Sequence, residues 1–295
     1  MGVSPQLQAH LASGTTTLAR AWAITRRDGV VLGFTDHDRA LEFDGITFRA
    51  DTGLSARALS QTTGLSVDNT AAAGVLSSDA IKAEDIAAGR YDGASLDTWL
   101  VNWADVSMRA LVFKGFIGEI SRHGDVFEAE LRGLSERLNQ ANGRVYQRRC
   151  SAGLGDMSCG FDIGQSGFST EAVVHSVEAS RSLHFENLSG FEDGWFEHGR
   201  VDILSGPAEG LTGAIKADRV LDGIRTVELW SEIRAPMEVG DQVRLIAGCD
   251  KRSETCRTKF MNFQNFRGFP HIPGEDWLMS VPTRSGVNDG GKLKS

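Results

Sequence analysis

Four cysteines, confined to two short windows, restrict what this chain can fold into more than any other feature. Eight residues separate Cys150 from Cys159, six separate Cys249 from Cys256, and 89 lie between the two pairs. Metal sites are commonly built from two such loops, because each loop fixes two ligands locally. Four soft thiolates select zinc or an iron–sulfur cluster. Structural zinc prefers tight knuckles with about two to four residues between paired ligands. Gaps of eight and six are loose for a single ion and lean toward a 4Fe-4S cubane, with zinc as the alternative. The flanking cations Arg149, Lys251, Arg252 and Arg257, together with backbone N–H groups of glycine-rich loops, would offset the remaining thiolate charge.

Two readings compete with metal. Four cysteines allow three disulfide pairings, and buried thiols can also serve as small hydrophobes. The N-terminal stretch Met1–Gln6 has neither the basic start nor the apolar run of a secretory signal. A reducing cytoplasm is therefore expected, where thiols stay reduced. Unrelated thiols would not cluster two and two, so metal leads.

Around the cysteines the chain reads as mainly β, with a few short helices. Thirty-four glycines punctuate short runs, as in a strand-rich protein. Ser4 and Pro5 suit the cap and first position of a helix that ends at Gly14. Asp28-Gly29 and Asp44-Gly45 each divide two apolar runs, which predicts hairpins in an antiparallel meander. Helix is expected over Ser77–Ala88 and Leu134–Asn142, and strands over Ser95–Val106, Arg109–Ile120 and Gly124–Leu131. Thr170–Leu245 reads as a separate β module between the cysteine pairs. The expected organisation is a β-rich domain over 1–145 and a four-cysteine metal-binding domain from 146–169 and 246–275. An inserted β domain spans 170–245, and a flexible tail follows over 276–295. Phe260, Phe263, Phe266, Phe269 and Trp277 make the segment after Cys256 too aromatic for a linker, so burial is expected.

Other functions find little support. A net charge of −8 argues against gripping a polyanion over a broad face. No apolar run approaches the roughly 20 residues needed to span a bilayer, so no membrane insertion is expected. Nucleophile-elbow, P-loop and dinucleotide fingerprints are absent. Asp36-His37-Asp38 reads as a self-capping turn in preference to an acid/base site. His184, His198, Glu186, Glu192, Asp193 and Glu197 read as surface charge in preference to a glycosidase patch. His271 is expected to be packed or hydrogen-bonded. No catalytic residue is predicted, and the chain is read as structural and not as an enzyme.

Several segments carry a resemblance. Cys249-Asp250-Lys251, Cys256–Phe260 and above all Asn262-Phe263-Gln264-Asn265-Phe266-Arg267-Gly268-Phe269-Pro270-His271-Ile272-Pro273-Gly274 resemble the C-terminal signature of hub proteins of gene transfer agents and related siphophage tails. Gly33–Arg39, Val67-Asp68-Asn69, Gly89–Ala94 and Val101-Asn102-Trp103 resemble the same family, so the likeness runs from about residue 15 to 275. The paired cysteines are also similar to the tail-tip L proteins of lambda-like phages, which carry an iron–sulfur cluster, although the link between the pairs is longer here. The resemblance implies a multi-domain tail-hub architecture. It implies a homotrimeric ring at the distal end of the tail of a virion-like particle, assembled in the bacterial cytoplasm. Its partners would be the distal tail protein and a central, megatron-like tail-fibre protein. DNA would pass through the lumen without specific binding, which an acidic balance suits. A zinc-stabilised binding module and an iron–sulfur redox protein remain the alternatives.

Overall fold

The computed structural model describes residues 3–50, 54–56, 74–76, 81–123, 126–134, 143–186, 188 and 190–272. For 54–56, 74–76, 121–123 and 126–128 it describes the backbone alone. The expectations for Ser77–Asp79, Val67–Asn69, residues 135–142, Trp277 and the 276–295 tail lie outside these residues. The chain divides into two compact units, Met1–Ala141 and Asn142–Ser295.

The first unit opens with α1 (Pro5–Ala12), where the Ser4 hydroxyl accepts the Leu7 N–H at 3.2 Å and Gly14 adopts a φ of +75°. Leu7 is buried, whereas Leu11, one turn on, is exposed. β1 (Leu18–Thr25) and β2 (Val31–Thr35) pair antiparallel around the expected turn. β3 (Leu41–Phe43) and β4 (Ile46–Arg49) form the second hairpin. Asp44 and Gly45 both take positive φ there, as a two-residue turn matched to strand twist requires.

The hairpins do not continue as a simple meander. β4 pairs parallel with β2 through Gly33↔Phe48 and Phe34↔Arg49, and β3 lies outermost. Gly33 permits this approach: a Cβ there would sit 2.5 Å from the Thr47 carbonyl oxygen. The unit continues with β5 (Leu54–Ala56), β6 (Gly74–Leu76), α2 (Ala83–Ala87), β7 (Ser95–Asn102), β8 (Arg109–His123) and β9 (Val126–Gly133). Among the described residues the sheet runs β3-β4-β2-β1-β7-β8-β9-β6-β5. β1 is buried on both faces: Ala19, Ala21 and Ala23 pack with Phe43, Phe48 and Val101, while Trp22 and Ile24 pack with Tyr91, Leu96 and Ile117. This alternation is the two-residue period of a strand.

The second unit contains β10 (Ser169–Val173), β11 (Ser176–Glu178), β12 (Ser182–Glu186), β13 (Arg200–Ile203), β14 (Thr212–Leu221), β15 (Ile224–Leu229) and β16 (Gln242–Ile246). They run in the order β10-β16-β13-β14-β15-β12-β11. Only Val174 and His175 separate β10 from β11, so one stretch of chain supplies both edges. A bulge between Ile215 and Ala217 bends the long β14. The sheet thus curls around one apolar core that includes Leu183, Phe185, Phe196, Val201, Ile215, Leu229 and Leu245.

That core also holds an ion pair. Arg225 and Asp218 are 1% and 2% exposed, and one guanidinium nitrogen donates to both carboxylate oxygens at 2.7 and 2.6 Å. The other donates to the carbonyls of Phe191 and Glu192, while Asp218 also accepts the Phe196 N–H at 2.8 Å. The pair therefore fixes the 191–196 loop from inside.

Candidate metal centre

The two cysteine windows converge. Cys150, Cys159, Cys249 and Cys256 line one small cavity of about 20 Å³, with Ala152, Leu154 and Phe260 as its apolar wall and Asn262 and Asn265 beside them. All four thiols are free and partly buried. Among the described residues, no group of three or more His, Cys, Asp or Glu side chains is arranged to hold a metal ion. The four cysteines thus share a cavity without forming a ready-made single-ion site.

Each cysteine is placed by a distinct device. Cys150 donates its N–H to the Lys251 carbonyl at 2.8 Å, joining the first window to the second. Cys159 ends a tight loop in which the Asp156 carboxylate accepts the N–H groups of Gly153 and Cys159, both at 2.6 Å. These bonds, Cys159 first, hold the Asp156 carboxyl below its usual range. Cys249 follows Gly248, where a Cβ would lie 1.5 Å from the Glu197 carbonyl oxygen, so no larger residue fits. Cys256 sits in α3 (Ser253–Thr258), which leads to the 3-10 turn Phe263–Asn265.

The aromatic segment after α3 straps the loops together. The Asn262 amide donates to the Cys159 carbonyl at 2.8 Å and to its Sγ at 3.5 Å, and the Asn262 carbonyl accepts from the Cys256 thiol at 3.4 Å. The Arg267 N–H donates to Cys150 Sγ at 3.3 Å, and its guanidinium Nε donates to the Ser158 carbonyl at 3.2 Å. Gly268 lies against the Arg148–Arg149 backbone, where a Cβ would meet carbonyl oxygen at 2.7 Å. Phe269 donates to the Gln147 carbonyl, and Arg148 Nε donates to that of Ile272. Donors aimed at sulfur are the outer-shell pattern that orients metal-bound thiolates.

Electrostatics fit the same use. Burial first, and then Cys249, Cys150 and Cys159, push the Cys256 thiol up to about 11. Burial likewise raises Cys249, against the Lys251 N–H and ammonium. Such thiols hold their protons until a cation replaces them. The donor set, the apolar wall and the N–H groups directed at sulfur therefore suit a metal–thiolate centre.

The expected residues divide. Lys251 and Arg252 line the cysteine cavity. Arg149 does not, and Arg257 lies over the Phe263 ring at 4.3 Å, drawn away by a cation–π contact. Phe260 is buried, Phe263 and Phe266 are half-buried against each other, and Phe269 is 36% exposed, its ring tilted against Tyr146. His271 is exposed, not packed, because it sits in the turn that closes from Phe269 to Ile272.

The declined candidates make local contacts of their own. His37 packs in a tilted contact with the Trp103 ring, and its Nδ1 accepts the Arg39 N–H, while Asp36 accepts the Arg20 N–H. Asp193 accepts the Val220 N–H, and His184 bonds Thr226.

Roles that the sequence did not assign complete the site. Lys259 donates to the carbonyls of Trp195 and Gly248 and lies 4.2 Å from the Trp195 ring centre. The positive φ values of Lys251 and Met261, +66° and +49°, bend the chain beside two cysteines.

The comparisons with known proteins agree on one affiliation. Residues 4–162 match the family profile described as baseplate hub protein, N-terminal attachment domain. Residues 194–276 match phage conserved hypothetical protein BR0599. No curated protein matches the chain. A solved structure titled as the virion of a native gene transfer agent particle contains a chain 55% identical to this one. The match covers 99% of this chain and 100% of that one, with a TM-score of 0.89. A hub profile over more than half of the residues, joined to that end-to-end likeness, means that this chain belongs to the baseplate hub protein family.

Proposed function

We propose that the protein is a structural hub of a phage-like tail or gene transfer agent, stabilised by an iron–sulfur cluster on Cys150, Cys159, Cys249 and Cys256. The observation that carries the cluster is that four cysteines from loops 89 residues apart line one cavity beneath a strap of N–H donors. A cubane offers four iron corners, each taking one thiolate, whereas one zinc needs four sulfurs about 2.3 Å from a single centre. Four cysteines lining one cavity without a ready single-ion site favour the cubane. The cluster would supply cross-links between loops that contain little regular structure, and so contribute directly to folding. The cysteine domain would comprise 146–169 and 246–275 and carry the 170–245 β module.

The hub reading rests on the family and on the similar virion chain. In it the protein forms a homotrimeric ring around the DNA exit path at the distal end of the tail. It joins the distal tail protein to the central fibre protein and catalyses no reaction. A net charge of −8 supports a lumen along which DNA slides without adhering. Among the described residues no helix is long and apolar enough to cross a membrane.

Anaerobic purification with metal and sulfide analysis tests the centre. About four iron and four sulfide per chain, with a brown colour, are expected. One zinc in a colourless protein would keep the staple and remove the cluster. Single Cys→Ser variants should be insoluble or fail to assemble, and normal assembly of all four would defeat the idea of a staple.

A further inference from the structure

A second cavity, of about 490 Å³, opens beside the cysteine site and shares Cys249, Lys251 and Arg252 with it. Its walls carry four cationic side chains, Arg149, Lys251, Arg252 and Lys259, against the two carboxylates Glu197 and Asp250, in a chain whose net charge is −8. Lys251 and Arg252 also face the cysteines, so they can serve a thiolate centre. Arg149 and Lys259 line only the second cavity.

Neither of these two cations makes a close ion pair among the described residues, whereas Arg252 has Asp250 at 3.6 Å. Lys259 gives two of its three N–H groups to the Trp195 and Gly248 carbonyls, which leaves one for another acceptor. It is half-buried over the Trp195 ring, in a fixed position. Arg149 is exposed and brings a planar fork suited to two oxygens.

We propose that this cavity binds an oxyanion group, a phosphate or a carboxylate, between Arg149 and Lys259, with Arg252 at the rim. The group comes either from a free small anion or from an acidic side chain of a partner segment. The assignment rests on the charge and geometry of the cavity and does not require the cysteine centre to hold iron.

The test is calorimetric titration of the full-length protein with inorganic phosphate, and separately with a short glutamate-rich peptide, at ionic strength held constant with chloride. Saturable binding of at least one probe is expected. Arg149→Glu should weaken it by about tenfold or more, the loss of one charge-assisted contact. Glu197→Gln should strengthen it, because it removes a nearby negative charge. Binding of phosphate identifies a free anion as sufficient, and binding of the peptide alone identifies a protein-borne carboxylate. No saturable binding of either probe, or equal affinity in Arg149→Glu, overturns the proposal. Iron content and absorbance measured on the same samples report the cysteine centre separately, so failure of one reading is distinguishable from failure of the other.

Discussion

Replacing Asp218 by Ala should destabilise the second unit more than any exposed substitution could. The change removes the carboxylate that, among the described residues, pairs with a guanidinium 1% exposed, together with the acceptor of the Phe196 N–H. Breaking a buried pair on one side costs about 3–5 kcal/mol, because the surviving charge stays in a poorly solvating interior. An orphaned N–H adds to this, though not additively. Against a total stability of roughly 5–15 kcal/mol the loss is large. Taking about 4 kcal/mol and a urea slope of about 2 kcal/mol per M, the unfolding midpoint should fall by about 2 M. The damage should also travel. Asp218 and Arg225 hold the 191–196 loop, and the Trp195 carbonyl accepts both the Gly248 N–H and the Lys259 ammonium next to Cys249. Equilibrium urea unfolding, followed by tryptophan fluorescence, together with retention of the proposed cluster, provides the assay. The double variant Asp218→Leu/Arg225→Met removes both charges and should lose less than Asp218→Ala alone. A midpoint within about 0.5 M of the parent, or a double variant worse than the single one, would refute the reasoning.

Two further perturbations separate shape from hydrogen bonding at the cysteines. Gly248→Ala places a methyl group 1.5 Å from the Glu197 carbonyl oxygen, so the backbone must move, and soluble yield and metal content should both drop. Asn262→Ala keeps the fold but removes the amide that bonds both the carbonyl and the sulfur of Cys159. Loss of an outer-shell partner typically weakens metal binding by about 10–100-fold, read here as faster release of iron from the proposed cluster to a chelator at unchanged far-UV circular dichroism.

The sequence reveals parts of this architecture unequally, for physical reasons. The two Asp-Gly hairpins are legible because their turns demand positive φ, which those residue types supply. The parallel pairing of β2 with β4 is not, since it depends on a close approach at Gly33 that no local pattern announces. Convergence of the cysteines could be argued from their pairing. The roles of Lys259 and Asn262 could not, because each acts on residues 64 and 103 positions away. Asp218 and Arg225 lie on strands that alternate like half-exposed ones, and no local pattern separates this enclosed charged pair from surface charge. Arg257 and His271 show the converse. Proximity in sequence to a site did not bring either side chain to it.

β10 and β16 lie side by side, with Ser169 opposite Ile246. The β module therefore leaves and re-enters the cysteine region through a single doorway, and its length is invisible from the other side of that doorway. On the proposed domain division such a module would behave as a cassette. It can lengthen, shrink or be exchanged for another fold while the four cysteine positions keep their spacing in space, provided that the contacts of Phe168, Trp195 and Lys259 at the threshold are kept. Variation among proteins built on this plan should therefore accumulate at the far turns of the module, such as Asp222-Gly223, and stop at the threshold.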